Sequence, residues 1–130
     1  MRFGKTHDKA RAGLLTVILP LGLCACQPDK PSPPATDGGE ARRGQLLLAQ
    51  FQCGSCHTIP GVEAARGRAA PSLAEYGLRS YTAGRWPNQQ ANLMRWIAAP
   101  HSMDPATLMP DMGVSAEEAR HMAAYLYSLK

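Results

Sequence analysis

The sequence predicts an all-α domain over residues 40–130, preceded by segments that do not contribute to its core. Three stretches carry apolar residues at helical spacing, and no stretch alternates apolar and polar residues as a half-buried strand does. Aromatic residues make up only 6% of the chain, which is little for a small domain that must bury apolar surface. We therefore expect short helices, long loops and a core that a group other than side chains completes.

Residues 1–25 are typical of an export signal. Four basic side chains near the start precede the apolar run "AGLLTVILPLGL", which is too short to span a bilayer comfortably. The segment holds four basic residues and one acidic residue, so the net charge of +4 falls to +1 without it. The remaining chain has no basic run that would favour binding to nucleic acid.

The end of this segment, "LCAC", resembles the lipobox of bacterial lipoproteins, with Leu23 and Ala25 ahead of Cys26. The resemblance implies cleavage before Cys26 and acylation of its thiol and new amino group. The alternatives are ordinary cleavage near Ala25 and an uncleaved short anchor. Cys24 is a weaker acceptor because the bulky Leu23 precedes it directly.

Residues 26–39 are predicted to hold the lipid attachment site and a linker. The stretch "QPDKPSPPATDGG" is rich in proline and has almost no large apolar side chain, so it cannot pack a core. At about 3.1 Å per residue its greatest reach is roughly 40 Å. Such a tether would hold a domain near a membrane and still let it turn.

Two helices are expected in the first two thirds of the domain. In "EARRGQLLLAQF" the helical spacing of Ala41, Gly44, Leu48 and Phe51 predicts a helix whose C-terminal end leads to Cys53. In "NQQANLMRWIAAP" a second apolar surface ends at a proline, and its members are Leu93, Met94, Trp96 and Ile97.

The third helix has the clearest signals. Ser115 and Glu118 form a capping box, and an apolar stripe follows, made of Ala119, Met122, Ala123, Leu126 and Leu129. His121 lies beside Arg120, and we expect it at the surface. Long loops are predicted over residues 58–86 and 101–114.

The motif "CGSCH" carries the chemistry. A thioredoxin-like site would need a βαβ frame around Cys53 and Cys56, and a zinc site would need a further pair of ligands. Neither pattern is present, whereas a histidine directly after C-x-x-C is typical of covalent haem c attachment. The two thiols then form thioethers to the haem vinyl groups, and His57 reaches the iron. A disulfide between Cys53 and Cys56 is the alternative.

A second axial ligand is expected from the loop "HSMDPATLMPDMGVS". It offers Met103, Met109, Met112 and His101. Long loops without regular structure are usually functional. Met94 and Met122 fit the helical stripes and are predicted to pack the core.

From Ala41 to Leu129 the chain resembles the class I c-type cytochromes. The stretch from Arg85 to Ser115 is similar to the cytochrome c domain fused to subunit II of some bacterial haem-copper oxidases. The resemblance implies about three to five helices wrapped around one covalently bound haem c, with the methionine of "TLMP", Met109, as the sixth ligand. It also implies that the carbonyl of Pro71 orients His57, although the usual Gly-Pro-Asp-Leu is here Ala-Pro-Ser-Leu.

The same resemblance implies further haem contacts. Trp96 corresponds to a haem-contacting tryptophan, and three residues lie where the family often meets the haem propionates, namely Arg79, Arg85 and Trp86. For both arginines the alternative is a solvated surface charge.

The predicted function is one-electron transfer by a membrane-tethered mono-haem carrier in the bacterial cell envelope, on the periplasmic side and in a respiratory chain. It is not predicted to be an enzyme, because an iron with two protein ligands has no place for a substrate. Redox proteins are the expected partners, among them a terminal oxidase or a quinol-oxidising complex. A permanent electron-entry subunit of a larger complex is one alternative, and a haem enzyme or gas sensor with an exchangeable sixth ligand is another. No copper-ligand domain is recognised, so the oxidase subunit itself is not expected.

Overall fold

A computed structural model of the chain describes residues 38–130, so the predicted signal segment, Cys26 and most of the linker lie outside the described residues. Three α-helices are present in this part: α1 is Ala41–Gln50, α2 is Gln90–Ala98 and α3 is Ala116–Ser128. Short 3-10 helices lie at Cys53–Ser55, Tyr76–Leu78 and Pro100–Ser102. The predicted all-α class and all three expected helices are confirmed.

Helices α1 and α3 pack directly against each other and join the two ends of the described domain. Gly44 permits their close approach, because a β-carbon at this position would overlap the carbonyl oxygen of His121. Leu47 and Leu48 of α1 are buried here, and Met122 and Ala123 of α3 have no exposed surface. Helix α2 packs against α3 as well, so α3 is the central element of the fold.

The N-terminus of α3 carries the predicted capping box. The amide of Glu118 donates to Ser115 Oγ at 3.2 Å, and Glu118 Oε2 accepts from the amide of Ser115 at 2.9 Å. The Ser115 hydroxyl also donates to Oε2, at 2.7 Å, and this hydrogen bond together with that from the Ser115 amide lowers the pKa of the Glu118 carboxyl. The predicted apolar stripe of α3 is buried as well, apart from the half-buried Leu129.

His121 is buried, contrary to the surface position expected for it. Its Nδ1 accepts a hydrogen bond from the backbone amide of Glu40, at 2.9 Å, and its Nε2 lies 3.8 Å from Glu117 Oε1. The expectation was wrong because neighbouring polar residues in the sequence do not reveal that the start of α1 lies across this face of α3. His121 thereby satisfies one of the amides that a helix start leaves without a partner.

The first loop region is long, but hydrogen bonds within it fix the path of its backbone. Within residues 58–86 the amide of Ile59 donates to the carbonyl of Ala65, and the Thr58 hydroxyl donates to the carbonyl of Gly67 at 2.9 Å. This region also contains the start of a small element that the sequence did not predict, an antiparallel ladder of β1, Tyr81–Thr82, and β2, Trp86–Pro87. With two residues in each strand, the ladder is too short to show an alternating pattern.

Candidate haem site

A cavity of about 690 Å³ lies between the end of α1, helix α2 and the two loop regions. Most of its lining is apolar, and within residues 38–130 the charged side chains that line it are Arg79 and Asp104. Its volume falls within the range of roughly 300–1,000 Å³ that is common for ligand sites. A cavity of this size agrees with the expectation, drawn from the low aromatic content, that a group other than side chains completes the core.

Cys53, Cys56 and His57 all line this cavity. Helix α1 ends at Gln50, and Gln52 has a left-handed backbone with φ of 53°, so the chain turns sharply into the 3-10 helix of Cys53–Ser55. The amide of His57 donates to the carbonyl of Cys53 at 3.0 Å, which closes the motif into one compact turn. Cys53 and Cys56 are both half-buried free thiols, and burial raises the pKa of the Cys53 thiol.

The imidazole of His57 lies against the carbonyl of Pro71, with 2.6 Å between Nδ1 and the oxygen. Because a carbonyl can only accept a hydrogen bond, Nδ1 carries the proton and Nε2 keeps the lone pair that a metal ion requires. Two backbone hydrogen bonds hold the Pro71 segment beside the motif. The amide of Ala70 donates to the carbonyl of Cys56 at 3.0 Å, and the amide of Leu73 donates to the carbonyl of Thr58 at 2.8 Å.

Two of the four candidate ligands in the second loop reach the cavity. Met109 and Met112 line it, whereas His101 and Met103 do not. Met109 is half-buried, and its amide donates to the Thr107 hydroxyl at 3.2 Å. Met112 is 42% exposed.

The expected haem contacts divide into two groups. Arg79 and Trp96 line the cavity, whereas Arg85 and Trp86 do not. Trp86 packs on Trp96 with 5.4 Å between the ring centroids, and Arg85 lies over Trp86 and 3.6 Å from Asp104. The guanidinium of Arg79 donates to the backbone carbonyls of Ser72 and Ala74.

Sequence reasoning missed a buried polar cluster that adjoins the cavity. It consists of Tyr76, Thr82, Asn88 and Tyr127, and of these Tyr76 also lines the cavity. Burial raises the pKa of Tyr76, and it raises the pKa of Tyr127 to about 12. These residues share no spacing or motif, so no sequence signal could have grouped them.

Comparison with known proteins agrees with this architecture. The family model described as "Cytochrome c" matches residues 41–130. The chain is 33% identical over 91 residues to cytochrome c oxidase subunit 2 of Alkalihalophilus pseudofirmus. It is 31% identical over 94 residues to the same subunit of Bacillus subtilis, and 30% identical over 94 residues to that of Bacillus sp. PS3.

These matches cover 69% of this chain but only 26% of each relative. The chain therefore corresponds to about a quarter of the length of the oxidase subunits. No solved structure gives a significant match.

Proposed function

The chain belongs to the cytochrome c family, and we propose that it is a mono-haem electron carrier whose single haem c is attached to Cys53 and Cys56. Similarity to the cytochrome c part of oxidase subunits supports an electron-transfer function. The observation that carries the finer proposal is the arrangement around His57. Two free thiols and an imidazole with its Nδ1 held by Pro71 stand together on the wall of one apolar cavity.

The residues of the cavity fit such a group. Cys53 and Cys56 would hold the group as thioethers, and because addition of a thiol across a vinyl double bond moves the thiol hydrogen to the neighbouring carbon, this attachment would need no oxidant. When bound, haem c supplies an iron that takes up and releases one electron. The hydrogen bond to Pro71 keeps the His57 ring in one orientation and directs its free lone pair to Nε2.

We propose that Met109 would be the second protein ligand of the haem iron. It lines the cavity, it is less exposed than Met112, and its backbone is held by Thr107 on one side and by the rigid ring of Pro110 on the other. A thioether is a soft ligand that favours ferrous iron and raises the reduction potential. Histidine and methionine together would leave no iron position for a substrate, which suits a carrier.

The proposed setting is the periplasmic side of the bacterial cell envelope, where the chain is anchored to a membrane. Lipidation at Cys26 would attach the chain to the membrane, and residues 26–39 would act as its tether. Within residues 38–130, no helix is both long and apolar enough to cross a membrane. The similarity to oxidase subunits favours a respiratory partner such as a terminal oxidase.

That similarity also favours a second candidate function, in which the chain is a permanent subunit that passes electrons into a larger complex. Purification from membranes in mild detergent separates the two. A free carrier elutes alone, whereas a permanent subunit elutes with its complex at fixed stoichiometry.

The central test is the visible spectrum and intact mass of the protein made with haem. We expect one haem c per chain, a mass increased by one haem after denaturation, and no change in the reduced spectrum on addition of carbon monoxide. Cys53→Ser and Cys56→Ser should each leave at most one covalent link, whereas Ser55→Ala in the same turn should leave both. A protein that releases all its haem on denaturation contradicts the proposed attachment.

A further inference from the structure

Asn88 makes an unusual number of hydrogen bonds for one residue of a loop. Its amide donates to Ser80 O at 2.9 Å, and its Nδ2 donates to the carbonyls of Arg79 at 3.0 Å and Tyr76 at 3.3 Å. Its Oδ1 accepts from the hydroxyls of Thr82 at 3.1 Å and Tyr127 at 3.2 Å. The side-chain amide therefore uses both of its hydrogens and both lone pairs of its oxygen.

All but one of these partners belong to one segment, residues 76–84, which we call the cavity wall. Tyr76, Arg79 and Tyr81 from this segment line the cavity, and so do Ala83 and Gly84. Asn88 itself does not line the cavity. The remaining partner, Tyr127, belongs to α3, so Asn88 connects the cavity wall to the central helix of the fold.

The directions of these hydrogen bonds follow from the chemistry of the groups. Both Nδ2 hydrogens go to carbonyls, which fixes the side-chain oxygen toward the two hydroxyls. The single hydroxyl hydrogen of Thr82 goes to Asn88, so in the 3.1 Å contact between Thr82 and Tyr76 the tyrosine must donate. Tyr76 thus donates its hydroxyl hydrogen to Thr82 and has no hydrogen left to donate to a carboxylate of a group bound in the cavity.

Other contacts also hold the cavity wall, among them a hydrogen bond of 2.8 Å from the Gly77 amide to the carbonyl of Leu129 and the packing of the Tyr76 ring against Tyr127. Asn88 differs from them because its hydrogen bonds extend from Tyr76 to Thr82.

The regular structure of the cavity wall consists of one 3-10 turn and the two-residue strand β1. Glu75, directly before this segment, and Ala83, near its end, have left-handed backbones with φ of 54° and 49°, which is unfavourable for residues with a β-carbon. Strained backbone of this kind persists only where the surrounding contacts over-determine it. Asn88 contributes contacts of this kind to the residues between Glu75 and Ala83.

We infer that Asn88 is a positioning residue of the haem site, which holds the cavity wall closed against the bound group through its hydrogen bonds to residues 76–82 and to Tyr127. This inference rests on the proposed binding of haem in the cavity. When the cavity wall stays in place against the bound group, water is excluded from the cavity. Solvent access is one of the factors that set the reduction potential of a buried redox centre.

The test compares Asn88→Ala with Asn92→Ala in the haem-loaded protein. Asn92 is a matched control, because its Nδ2 also donates to a backbone carbonyl, that of Pro87, but at an exposed position outside the cluster. Two quantities are measured for each variant, namely the midpoint potential and the hydrogen–deuterium exchange of peptides from 76–88 and from α1 and α3. Tyr127→Phe, which removes one hydrogen bond at Asn88, serves as a milder variant if Asn88→Ala does not fold.

For Asn88→Ala we expect exchange at least about tenfold faster within 76–88, a factor that corresponds to roughly the loss of one buried hydrogen bond. Exchange in α1 should stay close to the wild-type rate, and the potential should fall because water stabilises the ferric iron. Tyr127→Phe should shift both quantities in the same direction by less, and Asn92→Ala should shift neither.

Equal potentials and equal exchange in Asn88→Ala, Tyr127→Phe and Asn92→Ala would overturn the inference while leaving the proposed function intact. Faster exchange throughout the domain with an unchanged potential would also overturn it, because it would show a general effect on stability. A wild-type protein without haem would overturn the inference and the proposed function together, and its spectrum would reveal this before any variant is compared.

Discussion

The backbone amide of Glu40 donates a hydrogen bond of 2.9 Å to Nδ1 of His121, across 81 positions of sequence. Glu40 is the N-cap residue of α1, and its own side chain makes no capping hydrogen bond. The contact requires an imidazole whose hydrogen is on Nε2, because only an unprotonated Nδ1 can accept. One side chain of α3 therefore fixes the start of α1, at the point where the described domain begins.

We expect His121→Leu to lower the free energy of unfolding by about 1–3 kcal/mol, because it leaves the Glu40 amide without a partner. His121→Asn should lose less, since its side-chain oxygen can take the position of Nδ1. Chemical denaturation of the haem-loaded proteins measures both values. Equal losses for the two variants would show that packing, and not the hydrogen bond, is what His121 contributes.

Met109→Ala should retain covalent haem, because the proposed attachment involves only Cys53, Cys56 and His57. It should lose the weak ferric charge-transfer band at the red end of the visible spectrum that an iron–thioether bond gives, lower the potential and let carbon monoxide reach the ferrous iron.

Met112→Ala is the matched control, since Met112 lines the same cavity. Loss of the band in Met112→Ala and its retention in Met109→Ala would reassign the ligand. Absence of the band from the wild-type protein would instead favour a haem enzyme or a gas sensor.

Cys26→Ser should release a haem-loaded protein from membranes without changing its spectrum, because Cys26 is the proposed site of lipidation. Cys24→Ser, two positions away, should stay bound to membranes. Fractionation and intact-mass measurement check both variants. A wild-type mass without an attached diacylglyceryl group would refute the anchor.

Electron transfer to a partner should depend only weakly on ionic strength. Lys130 is the sole lysine of residues 38–130, so a lysine ring that steers acidic partners is absent from the described domain. The rim of the cavity instead exposes apolar surface, since Leu108 is fully exposed and Tyr81 is 56% exposed.

The second-order rate between soluble Cys26→Ser protein and its electron donor tests this prediction at several salt concentrations. A steep fall in that rate from low to physiological salt would show that charge, and not apolar contact, guides docking.

Stability should decline at high pH because of Tyr127. Burial raises the pKa of this hydroxyl from 10.0 to about 12, so folding favours the neutral form. The resulting stabilisation is fully present below pH 10, where the unfolded chain also keeps the proton, and it is lost as the pH rises toward 12.

Denaturant unfolding at pH 8 and at pH 11 should therefore show a smaller decrease for Tyr127→Phe than for the wild-type protein. Tyr81→Phe is the control, because Tyr81 is exposed and its removal should leave the decrease unchanged. Part of the decrease in stability between the two pH values should remain in Tyr127→Phe, since burial also raises the pKa of Tyr76 and Tyr125.

Local signals in the sequence were enough for the helices and for the family. The capping box of α3, the proline that follows α2 and the helical spacing before Cys53 depend on residues a few positions apart, and each predicted element is present. The adjacency of Cys53, Cys56 and His57 indicated haem chemistry for the same reason. Such features are short-range, so they can be read without knowing how the chain folds.

Only the tertiary structure decided what distant segments do to one another. The burial of His121 follows from the crossing of α1 over α3, and the separation of Met109 and Met112 from Met103 follows from the path of a loop. The convergence of Tyr76, Asn88 and Tyr127 joins residues up to 51 positions apart by hydrogen bonds that no periodicity encodes. Long-range polar contacts depend on the final positions of whole elements, and those positions are set by packing that no single stretch of sequence contains.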